Sequence, residues 1–279
     1  MLPRDLRATG RQLLMARSLA PIAAPRSGWR WAVLGALLGL LLALLAFAPA
    51  RWLAQALQER TRGQLVLVNP RGTVWNGAAG VVLASGSGGV ESVSLPGRLD
   101  WQLRPRWNGV SATLDMPCCA AQPLQLRVLP QAGGMRLEWN DGQSRWPAAM
   151  LGGLGAPFNT LKPEGVLDLA TRGFAMQWSG GRLGFAGRAT VQATDISSSL
   201  STLRPMGSYQ LTLEGGSIPS VLLTTREGAL QLNGSGQWTG IALRFNGEAS
   251  AAPGSEEALA NLLNIIGRRE GARSLITLG

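Results

Sequence analysis

The side chains able to do chemistry in this sequence are few, and their spacing gives them little to work with. Cys118 and Cys119 are adjacent, so they cannot staple distant segments together. In an oxidising compartment such a pair forms a vicinal disulfide, pairs between chains or stays as free thiols, and two thiolates alone make an incomplete metal site. Asp100, Glu138, Asp168 and Glu214 fall singly on polar positions, where a solvated charge is the default. A glycosidase needs two convergent carboxylates, and no spacing here selects such a pair. Histidine is absent from all 279 residues, which removes every triad or dyad built on imidazole and nearly every common zinc site. The G-x-S-x-G, G-x-x-x-x-G-K and strand-following G-x-G-x-x-G patterns are also missing. We therefore expect no enzyme, with no catalytic, cofactor-binding or metal residues.

Composition points to a different kind of work. Only 15% of residues are charged, against roughly 25% in ordinary soluble chains, while 46% are hydrophobic. The net charge of +10 comes almost wholly from arginine, since Lys162 is the sole lysine. Six arginines (Arg4, Arg7, Arg11, Arg17, Arg26, Arg30) and one acid, Asp5, lie in residues 1–30. The remaining excess is spread thinly, without the dense basic stripe of a nucleic-acid-binding protein, so no nucleic-acid partner is expected.

The basic leader runs into Trp31–Ala48, 18 residues without a charged or hydrogen-bonding aliphatic side chain. As a helix that stretch is roughly 27 Å long, enough to cross the hydrocarbon core of a bilayer. Trp29, Trp31 and Trp52 suit the interfacial belts, Arg30 and Arg51 can snorkel, and Pro49 ends the helix. Arginine bias keeps residues 1–30 in the cytoplasm and sends the rest across. Ala46-Phe47-Ala48 and Ala48-Pro49-Ala50 resemble cleavage sites, but the apolar run is too long and its basic region too extended for a signal peptide, which favours an uncleaved anchor. Residues 49–62 read as a juxtamembrane linker or short helix.

From there the period changes to two. Arg98–Arg104, Leu124–Val128, Met135–Asn140, Leu211–Glu214, Leu230–Asn233 and Ile241–Asn246 each alternate apolar with polar. That pattern predicts half-buried antiparallel strands. Clusters such as Gly86-Ser87-Gly88-Gly89 and Pro105-Arg106-Trp107-Asn108-Gly109 punctuate them, and Asn140-Asp141-Gly142 reads as a hairpin turn. Trp75, Trp101, Trp139, Trp178 and Trp238 are expected to pack on the sheet. Gly97–Pro105, Gly165–Gly173 and Gly228–Gly236 echo one another as glycine-started alternating strands.

Two segments read as helical. Trp146–Leu161 is broken by glycine, and any subdivision of the domain falls near Pro157 to Pro163. Glu256–Arg269 carries Leu259, Leu262, Leu263 and Ile266 on one face, with Ser255 as N-cap and Arg268 and Arg269 at the negative end of the dipole. Its apolar stripe is expected against the sheet.

Several residues then carry a resemblance. A basic tail and one apolar helix precede Asn69-Pro70-Arg71-Gly72-Thr73-Val74-Trp75-Asn76-Gly77. Leu95-Pro96-Gly97-Arg98-Leu99-Asp100-Trp101-Gln102-Leu103-Arg104-Pro105 follows, and near the end stand Gly236-Gln237-Trp238-Thr239-Gly240 and the helix closed by Gly267-Arg268-Arg269. Over most of its length the chain resembles the protein N family of the bacterial type II (general) secretion pathway. The resemblance implies a single-pass inner-membrane accessory or scaffold component, cytoplasmic at its N-terminus and periplasmic in its bulk. The implied partners are other inner-membrane components of the machine and the linker protein that reaches the outer-membrane secretin. In outline the family is similar to AsmA-like periplasmic proteins, which offers an alternative: a lipid-binding or lipid-transfer protein with an apolar β groove.

The expected architecture is mainly β: a cytoplasmic tail over 1–30, a transmembrane helix over 31–48, a linker over 49–62, and over 63–279 a largely antiparallel, curved periplasmic sheet with a C-terminal amphipathic helix.

Overall fold

A computed structural model describes residues 29–84, 92–155 and 157–279. The leader over 1–28 and the Gly86-Ser87-Gly88-Gly89 cluster lie outside the described residues. The chain divides into two units after Leu44.

Helix α1 spans Trp29–Ala46, 18 residues exposed along their whole length and apolar on every side beyond Arg30. It begins two residues before the apolar stretch and stops two residues short of its end. The reason lies in the second unit. The Ala48 carbonyl accepts the Val74 N–H at 2.8 Å, Pro49 pairs with Thr73, and Ala48 itself is buried.

The second unit is a sheet protein. Its strands are β1 (Leu65–Gly72), β2 (Asn76–Ala84), β3 (Ser92–Ser94), β4 (Leu99–Arg106), β5 (Gly109–Asp115), β6 (Leu124–Gln131), β7 (Gly134–Trp139) and β8 (Gly142–Pro147). They continue as β9 (Glu164–Ser179), β10 (Arg182–Ser197), β11 (Gly207–Glu214), β12 (Ser220–Gly228), β13 (Leu230–Trp238), β14 (Leu243–Ala251), β15 (Arg268–Glu270) and β16 (Arg273–Leu278). Helix α2 covers Ala50–Arg60, α3 Phe158–Leu161 and α4 Glu256–Ile266, with a 3₁₀ turn over Ala148–Leu154.

All these strands join one curved antiparallel sheet, ordered β1-β2-β4-β5-β6-β7-β9-β10-β11-β12-β13-β14-β16-β15, with β3 beside β2 and β8 beside β9. It is nearly a pure meander, as short turns between alternating runs require. The alternating runs become strands at their expected places, except that Arg98 stays outside β4, Asn140 outside β7, and Ile241 and Ala242 outside β14, with Ile241 exposed. Gly97, Gly165 and Gly228, which open the three echoing segments, all take positive φ. Glycine adopts that conformation without the steric penalty of a side chain.

Two apolar clusters hold the sheet. In the first, Ala50 and Ala54 of α2 lie against Leu67, Ala79 and Trp101, with Leu53, Leu57, Val81, Leu99, Leu103 and Leu114 around them. Residues 49–62 therefore carry a helix that buries Ala50 and Ala54 in the sheet domain. In the second, Leu259, Leu262 and Leu263 of α4 pack on Met206, Tyr209, Leu230 and Ala249. The stripe expected of this helix is the face it buries. At about 25 cal/mol per Å² of apolar surface, each fully buried leucine contributes on the order of 2 kcal/mol.

The structure corrects three local readings. Asn140-Asp141-Gly142 is not a hairpin turn: β7 and β8 run along the same edge of β9 in unbroken register, Glu138 opposite Ala175 and Gly142 opposite Thr171. The Asp-Gly step is a jog in one line, held because the Asp141 carboxylate accepts the Gly173 N–H at 2.5 Å and Thr171 Oγ1 donates to the Asn140 carbonyl at 3.0 Å. Helix α4 stops at Ile266, because Gly267 is extended and Arg268–Glu270 pair with β16 as β15, so Arg268 and Arg269 are strand residues. Ser255 occupies the N-cap position without a side-chain cap bond. At 157–163 the chain forms α3, and β9 beyond it pairs with β7, β8 and β10.

Candidate functional site

Two of the sequence segments that carry the resemblance meet in space, at the turn between β1 and β2. Gly72 has φ +85°, and a Cβ there would strike the Asn76 carbonyl. The Thr73 N–H donates to that same carbonyl at 2.8 Å, while Thr73 Oγ1 accepts the Asn76 N–H at 3.1 Å. This bonding turns the chain back within four residues and sets Trp75 at its corner. Trp75 then works in two directions. Its indole N–H donates to the Leu45 carbonyl at 2.8 Å, and its own carbonyl accepts the Leu103 N–H at 2.6 Å.

Trp101, from the second segment, closes the corner. It is 5% exposed, its ring fills the space beside Gly77, and its indole N–H donates to the Val74 carbonyl at 3.0 Å. Glycine at 72 and 77 and tryptophan at 75 and 101 thus act together to bind the backbone at Leu45 and Ala48 into the sheet under α2. Buried Trp101 and half-buried Trp75 both have their indole N–H satisfied.

A second feature is a trough of about 880 Å³ on the other half of the sheet. Arg188 and Thr190 of β10, Gln210 and Thr212 of β11, and Arg244 and Asn246 of β14 are among its lining residues.

The carboxylates singled out from the sequence are dispersed, each beside its own arginine. Arg98 pairs with Asp100 at 3.4 Å, Arg136 with Glu138 at 2.8 Å, Arg145 with Asp168 at 2.7 Å and Arg188 with Glu214 at 2.5 Å. The hydrogen bond from Asp168, reinforced by its charge, holds the Arg145 guanidinium above its usual range. These partly or wholly exposed pairs contribute little to stability. Sequence reasoning missed one neighbour: Asp115 sits directly opposite Asp100 across β4 and β5. A register of this kind has no signature in either strand alone.

The cysteines, left open between three states, are bonded to each other. Cys119 is buried and its carbonyl accepts the Arg145 N–H at 2.6 Å, so the Cys118–Cys119 step backs strand β8. The tryptophans mostly pack: Trp139 lies 5.3 Å from Phe174, Phe174 lies 6.2 Å from Phe185, and Phe185 meets Trp238 at 5.6 Å. Trp178 remains partly exposed.

An exposed apolar N-terminal helix and a curved antiparallel sheet define a β-rich domain preceded by a candidate membrane anchor. More particularly, the chain belongs to the type II secretion system (T2SS) protein N family, whose sequence model matches residues 63–276. It is an accessory component of type II protein secretion. No curated protein and no solved structure matches the chain.

Proposed function

We propose that this chain is a single-pass scaffold of the secretion machine, anchored in the inner membrane by α1 with its N-terminus in the cytoplasm and its sheet domain in the periplasm. It acts by tethering. Confinement beside the other inner-membrane components raises their effective concentration, so modest contacts suffice for assembly. The partners are those components and the linker protein that reaches the secretin.

The observation carrying this reading is the corner built by Trp75. Leu45 and Ala48, the last residues of the apolar stretch, are hydrogen-bonded to Trp75 and Val74 of the sheet domain. The following residues form α2, with Ala50 and Ala54 buried. These bonds take residues 45–60 into the sheet domain, so the chain that follows the apolar span enters the fold without a free linker, which suits a tethered scaffold. The outer edge of β1 offers a place for contact. The Leu65 N–H is taken by Thr61 Oγ1 at 3.1 Å, Val66–Val68 pair only with β2 among the described residues, and Asn69 in a positive-φ conformation and Pro70 end that edge. An extended segment of a partner can add there by main-chain hydrogen bonds.

The acyl-groove alternative draws less support. Apolar faces at the two ends of the sheet lie under α2 and α4, and Arg188, Glu214 and Arg244 place charge in the 880 Å³ trough.

Mass spectrometry of the full-length protein gently extracted from membranes separates the two. Co-recovered inner-membrane secretion components are the expected result. Near-stoichiometric acyl lipid without those components would overturn the scaffold reading.

A further inference from the structure

We propose that the tip of the β4–β5 hairpin is a second membrane contact, in which Trp107 enters the headgroup layer of an anionic bilayer while Arg104, Arg106 and Arg127 engage lipid phosphates. The inference rests on the reading of α1 as a membrane anchor and goes beyond it.

Trp107 stands at the turn between β4 and β5, where Arg106 pairs with Gly109, and is 97% exposed. An indole is among the costliest side chains to leave in water, and the bilayer interface is where its apolar body and polar N–H are both satisfied. The register sets Arg104, Ser111, Arg127 and Glu138 abreast across β4, β5, β6 and β7. Strand alternation puts Arg106 on the same face as Arg104. Glu138, the one acid of that row, is already bonded to Arg136. Arg104, Arg106 and Arg127 have no acidic partner among the described residues, so the face beside Trp107 carries uncompensated positive charge.

The position of the hairpin singles out the partner. Leu103, the residue before Arg104, donates to the Trp75 carbonyl, and the Trp75 indole holds the Leu45 carbonyl. From that bond to Trp107 is four residues of strand and turn, about 13 Å at the rise of a β-strand. Phe47, two residues beyond Leu45 in the chain, and Trp52, in the first turn of α2, are both exposed. Where Leu45 ends an apolar span, lipid headgroups lie within reach of the hairpin. Tryptophan hot spots between proteins fill well-packed pockets. A projecting turn with a bare indole suits a fluid headgroup layer, which shapes itself around what enters, and the arginines match anionic phosphates rather than a neutral surface.

The test uses the full-length protein in phosphatidylcholine vesicles with and without phosphatidylglycerol. A nitroxide on Asn108→Cys, attached without reduction so that Cys118–Cys119 stays closed, reports depth through its accessibility to oxygen and to a water-soluble nickel complex. A second label on Leu38→Cys reports the anchor. We expect the Asn108 label to show a several-fold loss of nickel accessibility in phosphatidylglycerol vesicles. The loss reverses in high salt and in the combined Arg104→Gln, Arg106→Gln, Arg127→Gln protein. A water-exposed Asn108 label in both vesicle types, with the Leu38 label in lipid, would overturn this inference and leave the anchor standing. A Leu38 label in water would overturn the anchor and the inference together. Protection of the Asn108 label only when other secretion proteins are added would replace lipid with an acidic protein surface and would equally overturn it.

Discussion

Trp101 occupies the space that a side chain at position 77 would need: a Cβ on Gly77 would meet the ring Cε2 at 2.8 Å and the Arg71 carbonyl oxygen at 2.7 Å. The two positions are also register partners across β2 and β4. Neither can change without the other, and the pair sits between α2 and the turn that holds Leu45.

Gly77→Ala forces the indole or the β1–β2 turn to move and is expected to cost about 1–3 kcal/mol, as overpacking does. Trp101→Ala empties the corner and is expected to cost about 3–5 kcal/mol. Denaturant unfolding of the detergent-solubilised protein checks both. An unchanged midpoint for Gly77→Ala would mean that the indole has a second place to go.

Tyr209 is the only tyrosine in the chain, which makes its titration readable without interference. Burial pushes its phenol up from the ordinary value near 10, and its hydroxyl donates to the Leu230 carbonyl at 3.1 Å. A group whose folded pKa exceeds its unfolded value stabilises the fold fully below the unfolded value, and loses that contribution as pH rises toward the folded one. Stability is therefore expected to fall above about pH 10, with tyrosinate absorbance appearing only as the domain unfolds. Tyr209→Phe should remove this alkaline component and cost about 1 kcal/mol at neutral pH. Tyrosinate absorbance rising near pH 10 in the folded protein would contradict the burial.

Leu263, on the inner face of α4, is fully buried, and its carbonyl accepts the hydroxyl of Ser274, itself fully buried, at 2.6 Å. Leu263→Ala is expected to lose about 2–5 kcal/mol. Ser274→Ala leaves the carbonyl short of one partner and is expected to lose about 1 kcal/mol. Thermal unfolding followed by circular dichroism should rank the two in that order.

Asp141 holds the jog between β7 and β8 through the Gly173 N–H. Asp141→Ala is expected to raise hydrogen-exchange rates at Gly173 and Thr171 while leaving the α4 cluster protected. Uniform loss of protection across the domain would show that the jog is not a local feature.

Local chemistry made the strands legible. Arg98–Arg104 and Met135–Asn140 alternate so regularly that their faces could be assigned from the sequence, and the spacing of Leu259, Leu262, Leu263 and Ile266 announced the buried side of α4. What the sequence withheld was pairing. Asp141-Gly142 has the chemistry of a hairpin, but β9 is long enough to bind β7 and β8 end to end, and its length is decided by residues far along the chain. Asp115 faces Asp100 for the same reason. The glycines and tryptophans of the candidate corner stood out as a recurring pattern, while the bond from Trp75 to Leu45 joins residues 30 apart and is visible only in the fold.

The central claim is that the sheet domain works by touching other secretion proteins from a fixed place at the membrane. Photocrosslinking in living cells, with a photoreactive residue in turn at Val68 on the open edge, at Arg98 and at Arg244, tests it most directly. The account predicts adducts to inner-membrane secretion components or to the linker protein, strongest from Val68. Adducts confined to lipid, or to cytoplasmic proteins, would contradict it.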